Sequence, residues 1–406
     1  MKRIVCLLLF TFFLISGCST VLHREINEES VPSSKNGVVS YESSKYSNDF
    51  FVQRQDDQLL LKGEPIQLQA INFDNLTWYQ ETHLDGKPVF LLHHTEEDYD
   101  QIQSLGFNSI RYFIRWQDLF VDPVTCEKQE EGWKWLDQNI SWAKERGIFL
   151  ILDFHCPYGG FGTQGADTWP IWTDEAVQNS FLTMWRMIAE TCSNETSIAA
   201  YDLMNEPTLS REGKTQYIEL LESVISVIRE EDPNHVIIVE AAVGIEGDEA
   251  SFSKPTWVEV SDQNVMYSFH FYEPIRYTHQ HNESESEKLL YPSDEFSQED
   301  LRIALNEFIE DPFLKKYPLF LGEFGCNDWS EGSGSEQWIT DVYTLCEEKS
   351  IHTALFVYRS FEDVSEKDEY SFAIRRVYLQ ADTESGIEES DNLRLLQVFP
   401  RIFACD

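Results

Sequence analysis

Short apolar runs alternate with longer amphipathic segments from residue 50 onwards. The runs are nearly continuous in Ile, Val, Leu and Phe, which is typical of parallel strands that are buried on both faces. Eight such runs occur, at 66–73, 108–114, 148–154, 199–204, 236–239, 265–271, 319–322 and 353–358. The segments between them predict helices at 95–105, 132–146, 174–191, 213–230, 298–310, 335–348 and 391–398.

This alternation predicts an α/β fold. Eight strands favour a closed (β/α)8 barrel, the TIM barrel, over an open doubly wound sheet. A dinucleotide-binding fold lacks its main signature, because no Gly-x-Gly-x-x-Gly motif follows the first strand. Gln58–Leu61 and Ile66–Ile71 flank the turn-like segment 62–65 and predict a short N-terminal hairpin. The acidic stretch 361–391 indicates loop extensions.

The first residues have the pattern of an export signal. Two cations, Lys2 and Arg3, precede the almost uninterrupted apolar run Ile4–Ile15. That run is too short to span a bilayer, which takes about 20 residues, and it suits the apolar region of a signal peptide. The following Ile15-Ser16-Gly17-Cys18 resembles the bacterial lipobox, in which the cysteine is lipidated and becomes the first mature residue.

We therefore expect residues 1–17 to be a lipoprotein signal peptide and Cys18 to carry lipid. Residues 18–49 are rich in Ser, Asn, Glu and Lys and predict a flexible tether, followed by one catalytic domain at 50–406. The expected location is that of an exported, membrane-anchored bacterial lipoprotein, on the outer membrane, the periplasmic face or the cell surface. The lipid would be its only contact with the membrane.

Charge narrows the choice of partners. Lys and Arg number 31 against 71 Asp and Glu, a formal net charge of −40. Such a surface repels phosphate backbones, so no nucleic-acid partner is expected and a neutral substrate is favoured. We expect a monomer.

Six cysteines remain beyond Cys18 without any Cys-x-x-Cys pair, which argues against a zinc cage and leaves their pairing open.

Polar residues lie at the ends of several predicted strands, where a barrel places its chemistry. Glu206 follows the fourth run within Asn205-Glu206-Pro207, and Glu323 follows the seventh within Gly322-Glu323-Phe324-Gly325. Two carboxyl groups facing each other across one cavity are what glycoside hydrolysis needs. One protonates the leaving oxygen, and the other attacks the sugar or activates water. The residues alone do not say which glutamate has which role.

Five motifs in order resemble family 5 of the glycoside hydrolases, in the cellulase-like clan, with the lipobox indicating a bacterial lipoprotein member. The similarity runs from about Gln58 to about Phe361. The motifs are Leu105-Gly106-Phe107-Asn108-Ser109-Ile110-Arg111, Asp153-Phe154-His155, Asp202-Leu203-Met204-Asn205-Glu206-Pro207, Ser268-Phe269-His270-Phe271-Tyr272 and Gly322-Glu323-Phe324-Gly325. The resemblance implies that Glu206 is the acid/base and that Glu323 is the nucleophile.

The resemblance also implies a set of substrate-binding residues around the bond that is cleaved: Arg111, His155, Asn205, His270 and Tyr272. Asn205 would bind the sugar 2-hydroxyl, and Arg111 with Tyr272 would hold the nucleophile ionised. Tryptophans at 78, 116, 169, 172 and 329 follow strand runs, and we expect Trp329 to contact sugar through its apolar ring face.

Three features leave alternatives open. The family usually has a Trp at the end of the eighth strand; here Arg359 takes that place, and Phe356 or Tyr358 is left to supply an aromatic face. Glu240 ends the fifth run and either faces the cleft or is a solvated strand-end carboxylate. His279-Gln280-His281 has a metal-ligand spacing but no further ligand set, so we expect neither a metal nor an organic cofactor.

The expected function is a retaining glycoside hydrolase that cleaves a neutral β-linked glycan. An endoglucanase-like enzyme acting on a β-1,4-glucan is favoured. A β-mannanase, a β-glucosidase and a glycolipid hydrolase are alternatives within the family. A non-catalytic carbohydrate-binding lipoprotein and a metal-dependent barrel hydrolase are alternatives from other classes.

Overall fold

The computed structural model describes residues 50–73, 83–84, 87–88, 94–160, 169–209, 213–246, 249–280, 288–327, 332–363, 375–379 and 387–391, with a few single positions such as 372 and 374. Several sequence-based predictions lie outside these residues. They are the signal peptide, Cys18 and the tether, Trp78, His281, Trp329, Cys405 and most of the helix expected at 391–398.

Eight parallel strands close into a barrel in which each strand pairs with its neighbours in chain order. The strands are β1 Gln69–Phe73, β2 Ser109–Arg115, β3 Phe149–Cys156, β4 Ile198–Asp202, β5 Val236–Glu240, β6 Val265–Phe271, β7 Leu319–Phe324 and β8 His352–Leu355. The longer helices are α1 Glu96–Ser104, α2 Glu130–Arg146, α3 Glu175–Cys192, α4 Gly213–Glu231, α5 Gln298–Phe308 and α6 Ser335–Glu347. The (β/α)8 prediction is confirmed.

Side-chain alternation divides each strand between two cores. In β5, Ile237 and Val239 face the helices and join the large outer core, whereas Val236 and Ile238 belong to a smaller core inside the barrel. The period of two follows from strand geometry. The N-terminal sheet of Gln53–Gln55, Gln58–Leu61 and Glu64–Pro65 adds apolar side chains to that inner core. A short N-terminal hairpin is therefore present, but Gln58–Leu61 pairs with Glu64–Pro65 and Gln53–Gln55 rather than with the predicted 66–71, whose last residues begin β1 of the barrel.

The helices bury one apolar stripe each against the strands. In α3, Phe181, Met184, Trp185 and Ile188 recur at helical spacing and are all buried. The helix begins where the Asp174 carboxylate accepts the backbone N–H of residue 176 at 2.8 Å, which satisfies one of the amides that a helix leaves without an internal partner. The stripe and the cap together set which face of α3 packs on the barrel.

The structure differs from the sequence prediction mainly in the connections. The segment 361–391 contributes to a three-stranded sheet of Arg359–Asp363, Arg375–Leu379 and Ile387–Asp391, although its polarity indicated loops. A second hairpin, Ala242–Glu246 with Glu249–Thr256, follows β5. These strands lie outside the fully buried barrel sheet and do not form the long apolar runs by which the barrel strands were predicted.

Cysteine pairing was open from the sequence. The five described cysteines, at 126, 156, 192, 326 and 346, are buried, and no disulfide joins any two of these five. Burial raises the pKa of the Cys156 thiol well above its ordinary value, which opposes thiolate chemistry there. Within the described ranges, no helix has both the length and the apolar character needed to cross a membrane.

His352 makes the stability of the barrel depend on pH. Its ring is buried and its Nδ1 accepts the backbone N–H of Leu68 at 3.0 Å, which requires the neutral form. Burial lowers the pKa of His352 to about 4. A histidine in the unfolded chain titrates near 6.5. The unfolded state therefore binds the proton first as pH falls, and stability is lost progressively from about pH 6.5 down to about pH 4.

We predict that His352→Asn weakens this pH dependence, because an amide oxygen can accept the same N–H and does not titrate. Between pH 7.5 and pH 4.5 the native protein should lose about 2 kcal/mol more unfolding free energy than the variant. Urea unfolding at both pH values measures the difference. Equal losses in the two proteins would show that His352 does not titrate between the folded and unfolded states.

Candidate active site

A single guanidinium lies at the centre of the polar end of the barrel. Alternation places one polar residue from each of several strands in the same interior layer. These residues are Asn72, Arg111, Asp153, Asp202, Glu240 and His270. Arg111 is fully buried and contacts four carboxylates and two amides. Its partners within 3.2 Å are Asp153, Asp202, Glu240, Glu323, Asn72 and Asn205.

One cation cannot neutralise four buried carboxylates, so their proton affinities separate. Burial raises the pKa of Asp153 well above its ordinary value and raises that of Asp202 to about 7, although Arg111 opposes both shifts. Burial also acts to raise the pKa of Glu240, but His270 and Arg111 outweigh it and the net shift is downward. Asp153 and Asp202 therefore bind protons more readily than Glu240 does.

Glu323, at the end of β7, is held from two sides. Its Oε1 accepts from Arg111 Nη1 at 2.9 Å, and its Oε2 accepts from the Tyr272 hydroxyl at 2.8 Å. Burial raises the pKa of Glu323, while His270, Arg111 and Tyr272 oppose the rise. The residue before Glu323 is Gly322. A larger residue would not fit there, because a Cβ would stand 2.6 Å from the Ser268 hydroxyl oxygen on β6.

Glu206 follows β4 in a left-handed backbone conformation, with φ of +44°. Its side chain is 24% exposed, whereas that of Glu323 is 6% exposed, so Glu206 is the more accessible of the two carboxylates. His270 Nδ1 lies 2.7 Å from Glu206 Oε1. Burial acts to lower the pKa of His270, but the carboxylates of Glu323, Glu240 and Glu206 raise it well above its ordinary value.

The separation of the two glutamates determines which hydrolytic mechanism fits. A carboxylate oxygen of Glu206 and one of Glu323 lie within 4.8 Å of each other. Retaining glycosidases have their carboxyl groups about 5–5.5 Å apart and inverting ones about 6.5–9.5 Å apart. The observed spacing therefore agrees with the retaining range rather than the inverting one.

The same spacing makes Glu206, His270 and Glu323 the group that could hold a metal ion within the described part of the chain. Hydrogen bonds already connect these atoms: His270 to Glu206, and Arg111 with Tyr272 to Glu323. The adjacent guanidinium would also repel a cation.

Aromatic rings form one wall of the site. His155 stacks on Phe113 with ring centroids 3.8 Å apart, and its Nδ1 lies 2.7 Å from an oxygen of Asp153. Phe356 is half-buried just beyond β8, with its ring centroid 6.4 Å from those of Phe113 and Tyr272. The structure therefore brings together Arg111, His155, Asn205, Glu206, His270, Tyr272 and Glu323, while the predicted Trp329 lies outside the described residues. Phe356 adds a ring at the end of the eighth strand.

Arg359 does not occupy the site, contrary to the alignment of its position with the family Trp. Its guanidinium is buried and pairs with Asp98 at 2.9 Å, at the start of α1. Tyr358 is also buried, and its hydroxyl donates to Asp98 at 2.8 Å. Of the two aromatic alternatives, Phe356 is the one beside Tyr272.

The tryptophans that follow the strands differ in exposure. Trp169 and Trp172 are buried and stack with ring centroids 6.2 Å apart, and the Trp172 indole donates to the Thr208 carbonyl at 3.1 Å. Packing accounts for both rings. Trp116 is half-buried and lies edge-on to Tyr158, with ring centroids 5.6 Å apart.

The fold and the paired glutamates define a barrel of the glycoside hydrolase class, and comparison with known proteins gives its family. Residues 60–362 match the model of Cellulase, glycosyl hydrolase family 5. The chain therefore belongs to glycosyl hydrolase family 5. The family and the enzyme class expected from the sequence, an O-glycosyl hydrolase, are confirmed.

Relatives and solved structures agree with this assignment. Endoglucanase C of Acetivibrio thermocellus is 26% identical over 315 residues, which cover 70% of this chain and 90% of that protein. Cellodextrinase A of Ruminococcus flavefaciens is 24% identical over 251 residues, covering 60% and 72%. The fold matches Thermotoga maritima Cel5A in complex with cellobiose at a TM-score of 0.60, with 22% identity and coverage of 82% and 97%.

Three buried polar residues of the cluster had no role predicted from the sequence. Asn72, Asp153 and Asp202 all contact Arg111. A usable signal was present for two of them, because Asp153 and Asp202 each interrupt an otherwise apolar strand run, whereas the run with Asn72 also contains Gln67 and Gln69. Buried polar groups need partners, and such interruptions point to a shared polar layer.

We predict that Arg111→Met destabilises the protein strongly at neutral pH, because the four carboxylates lose the guanidinium that they share. Removing one partner of a buried charge cluster costs about 3–5 kcal/mol. The loss should be smaller at pH 5 than at pH 7.5, since carboxylates without the cation bind protons more readily.

Urea unfolding at both pH values provides the measurement. Arg302→Met is the matched control, because it removes an arginine whose carboxylate partners Glu299 and Glu348 are on the surface. Its stability should change little. A loss in Arg111→Met that is the same at both pH values would contradict the account of the cluster.

Proposed function

We propose that this protein is a retaining, endo-acting hydrolase of a β-1,4-glucan. The observation that carries the proposal is the pair of carboxylates after β4 and β7, whose oxygens lie within 4.8 Å. That distance suits direct attack by one carboxylate on the sugar. The expected roles follow from the surroundings: Glu323, clamped by Arg111 and Tyr272, is the nucleophile, and the more exposed Glu206 is the acid/base.

The reaction would proceed in two displacements. Glu323 attacks the anomeric carbon while protonated Glu206 gives its proton to the leaving glycosidic oxygen, which forms a glycosyl-enzyme. Glu206 then takes a proton from water, which attacks the anomeric carbon and releases Glu323. Both steps use only carboxyl groups, so the proposal includes no metal and no organic cofactor.

The name of Endoglucanase C, 90% of whose length is covered, supports internal cleavage of a glucan, and we propose the β-1,4 linkage for it. An aromatic wall around Phe356 suits the apolar face of a sugar ring, and the net charge of −40 disfavours polyanionic polysaccharides. The remaining site residues would bind the sugar next to the cleaved bond. They are Asn205, His155 and His270, with Trp329 as a further expected contact.

A screen of the purified protein on polysaccharides tests the substrate. We expect soluble β-1,4-glucans to be cleaved internally, with a rapid fall in viscosity and a slower release of reducing ends. Parallel assays use β-mannan, xylan, aryl β-glucosides and glucosylceramide. A faster rate on any of these four than on the β-1,4-glucans would replace the proposed substrate. Inactivity on every substrate tested, including the β-1,4-glucans, would favour a non-catalytic binding protein.

The two glutamate roles predict different mutants. Glu323→Ala removes the atom that forms the covalent bond, so turnover should collapse for every substrate. Glu206→Ala removes the proton donor, so substrates with poor leaving groups should lose about 10²–10⁴-fold while an activated dinitrophenyl glycoside loses far less. Rates on a phenyl and a dinitrophenyl β-cellobioside measure the contrast.

Azide provides the second readout for these mutants. It should rescue Glu206→Ala by attacking the covalent intermediate and give a β-glycosyl azide, because two inversions retain configuration. Glu230→Ala, an exposed carboxylate on α4, is the control and should keep its activity. An α-azide from Glu206→Ala would reject the assignment of roles.

We further propose that the protein is a lipoprotein with Cys18 as the anchor, residues 18–49 as the tether and a monomeric catalytic domain. Lys2, Arg3, the apolar run and the lipobox-like sequence support the anchor. Cys18→Ser should abolish lipidation and leave the precursor unprocessed or mislocalised. Metabolic labelling with a fatty acid and membrane fractionation measure this; labelled or membrane-bound mature Cys18→Ser protein would place the anchor elsewhere.

A further inference from the structure

Glu240 contacts both Glu206 and Arg111, the arginine that holds Glu323, although the proposed reaction gives Glu240 no chemical step. It ends β5 and is 2% exposed, so it is not a solvated strand-end carboxylate. Its Oε1 accepts from Arg111 Nη2 at 2.7 Å, and its Oε2 accepts from the backbone N–H of Glu206 at 2.7 Å. Each oxygen therefore has its own partner.

The backbone contact matters because of the conformation of Glu206. A residue other than glycine with φ of +44° lies in a sparsely populated region, and surrounding contacts must hold it there. The segments after β4 and β5 run together at this point, with Val243 N–H donating to the Pro207 carbonyl at 2.9 Å. The backbone of Glu240 is held in turn, because the Tyr217 hydroxyl donates to the Glu240 backbone carbonyl at 2.8 Å.

His270 provides a second path from Glu240 to Glu206. Its Nδ1 contacts Glu206 Oε1 at 2.7 Å, and its Nε2 lies 3.4 Å from Glu240 Oε1. The imidazole thus stands between the two carboxylates. At 3.4 Å the contact with Glu240 is an ion pair rather than a hydrogen bond, and the carboxylate there favours the charged form of the ring that faces Glu206.

We propose that Glu240 is a positioning residue for the acid/base Glu206, holding its backbone directly and its carboxyl group through His270. This inference rests on the proposed role of Glu206. A small cavity bordered by Glu206, Glu240, His270 and Val243 adjoins the contact. Without the anchoring carboxylate, the segment carrying Glu206 has space into which it can shift.

The proposal gives Glu240 a kinetic signature. Misplacing the proton donor slows reactions that need protonation of the leaving oxygen and leaves reactions with an activated leaving group nearly unaffected. A merely structural defect lowers the amount of active enzyme and reduces every rate by the same factor. The ratio of losses on two leaving groups separates these cases.

The experiment measures kcat/KM of the full chain on phenyl and 2,4-dinitrophenyl β-cellobioside. For Glu240→Gln we expect the loss on the phenyl substrate to be at least about tenfold greater than on the dinitrophenyl substrate. An amide has a single acceptor oxygen and cannot satisfy both Arg111 and the Glu206 N–H. Glu240→Asp keeps the charge near Arg111 but has a shorter side chain, so it should show the same selectivity. It provides the test if the Gln variant does not fold.

Asp202→Asn is the matched control. It removes a buried carboxylate bonded to Arg111 Nε at 2.8 Å, on a different nitrogen from the one that Glu240 contacts. The variant should lose kcat/KM by the same factor on both substrates. Asp202 acts through Arg111 on the nucleophile, which both substrates need, and not on the proton donor. The same selectivity in Asp202→Asn, or equal losses in both Glu240 variants, would overturn the proposal.

Glu206→Ala separates this inference from the proposed function. If Glu206→Ala is selective for the poor leaving group and the Glu240 variants are not, the positioning role alone fails. If Glu206→Ala loses activity equally on both substrates, the acid/base assignment fails and the role of Glu240 fails with it.

Discussion

The buried guanidinium of Arg111 is the contact on which the catalytic end of this barrel depends. Four carboxylates and two amides, from five strands or the residues that directly follow them, converge on it within 3.2 Å. Without a cation at that point, the inward-facing acids would be buried beside one another at a cost of several kcal/mol each. The planar, permanently charged fork of arginine has five N–H donors against the three of an ammonium group, so it can bond more of these groups at once.

That concentration of charge also differentiates chemically similar groups. Asp202 and Glu240 both bond Arg111, yet burial raises the pKa of Asp202 to about 7 while His270 and Arg111 lower that of Glu240. Glu323 is clamped by two donors, whereas Glu206 is partly exposed and faces a histidine. Position relative to one cation and one imidazole therefore divides a group of acids into structural, positioning and reacting members.

The end of the eighth strand shows how later chain segments complete the site. Phe372, which precedes the strand Arg375–Leu379, packs on Phe356 and Tyr272 with ring centroids 5.9 Å from each. The Val357 N–H donates to the Phe372 carbonyl at 3.4 Å, and the Ile374 N–H donates to the Val357 carbonyl at 3.0 Å. This pairing fixes the ring of Phe356 beside the nucleophile's partner Tyr272, while Arg359 turns away to Asp98.

The sequence by itself determined the barrel, its eight strands and the order of the polar strand ends. Hydrophobic periodicity is local, and strands buried on both faces have an unmistakable apolar signature. The paired carboxylates could be predicted for the same reason. A strand end is a local feature of a few residues, and motifs such as Asn205-Glu206-Pro207 mark it. Their chain order then gave the family resemblance.

Only the tertiary structure decided which groups share a partner. The contact of Glu240 with the Glu206 N–H joins residues 34 positions apart, and that of Arg111 with Glu323 joins residues 212 positions apart. Strand register and barrel closure set those distances, and no local pattern records them. The same holds for Phe356 and Arg359, because the direction of each side chain depends on the Phe372 segment and α1. Periodicity reports which face of a strand is buried, whereas the partner on that face is fixed only when the sheet closes.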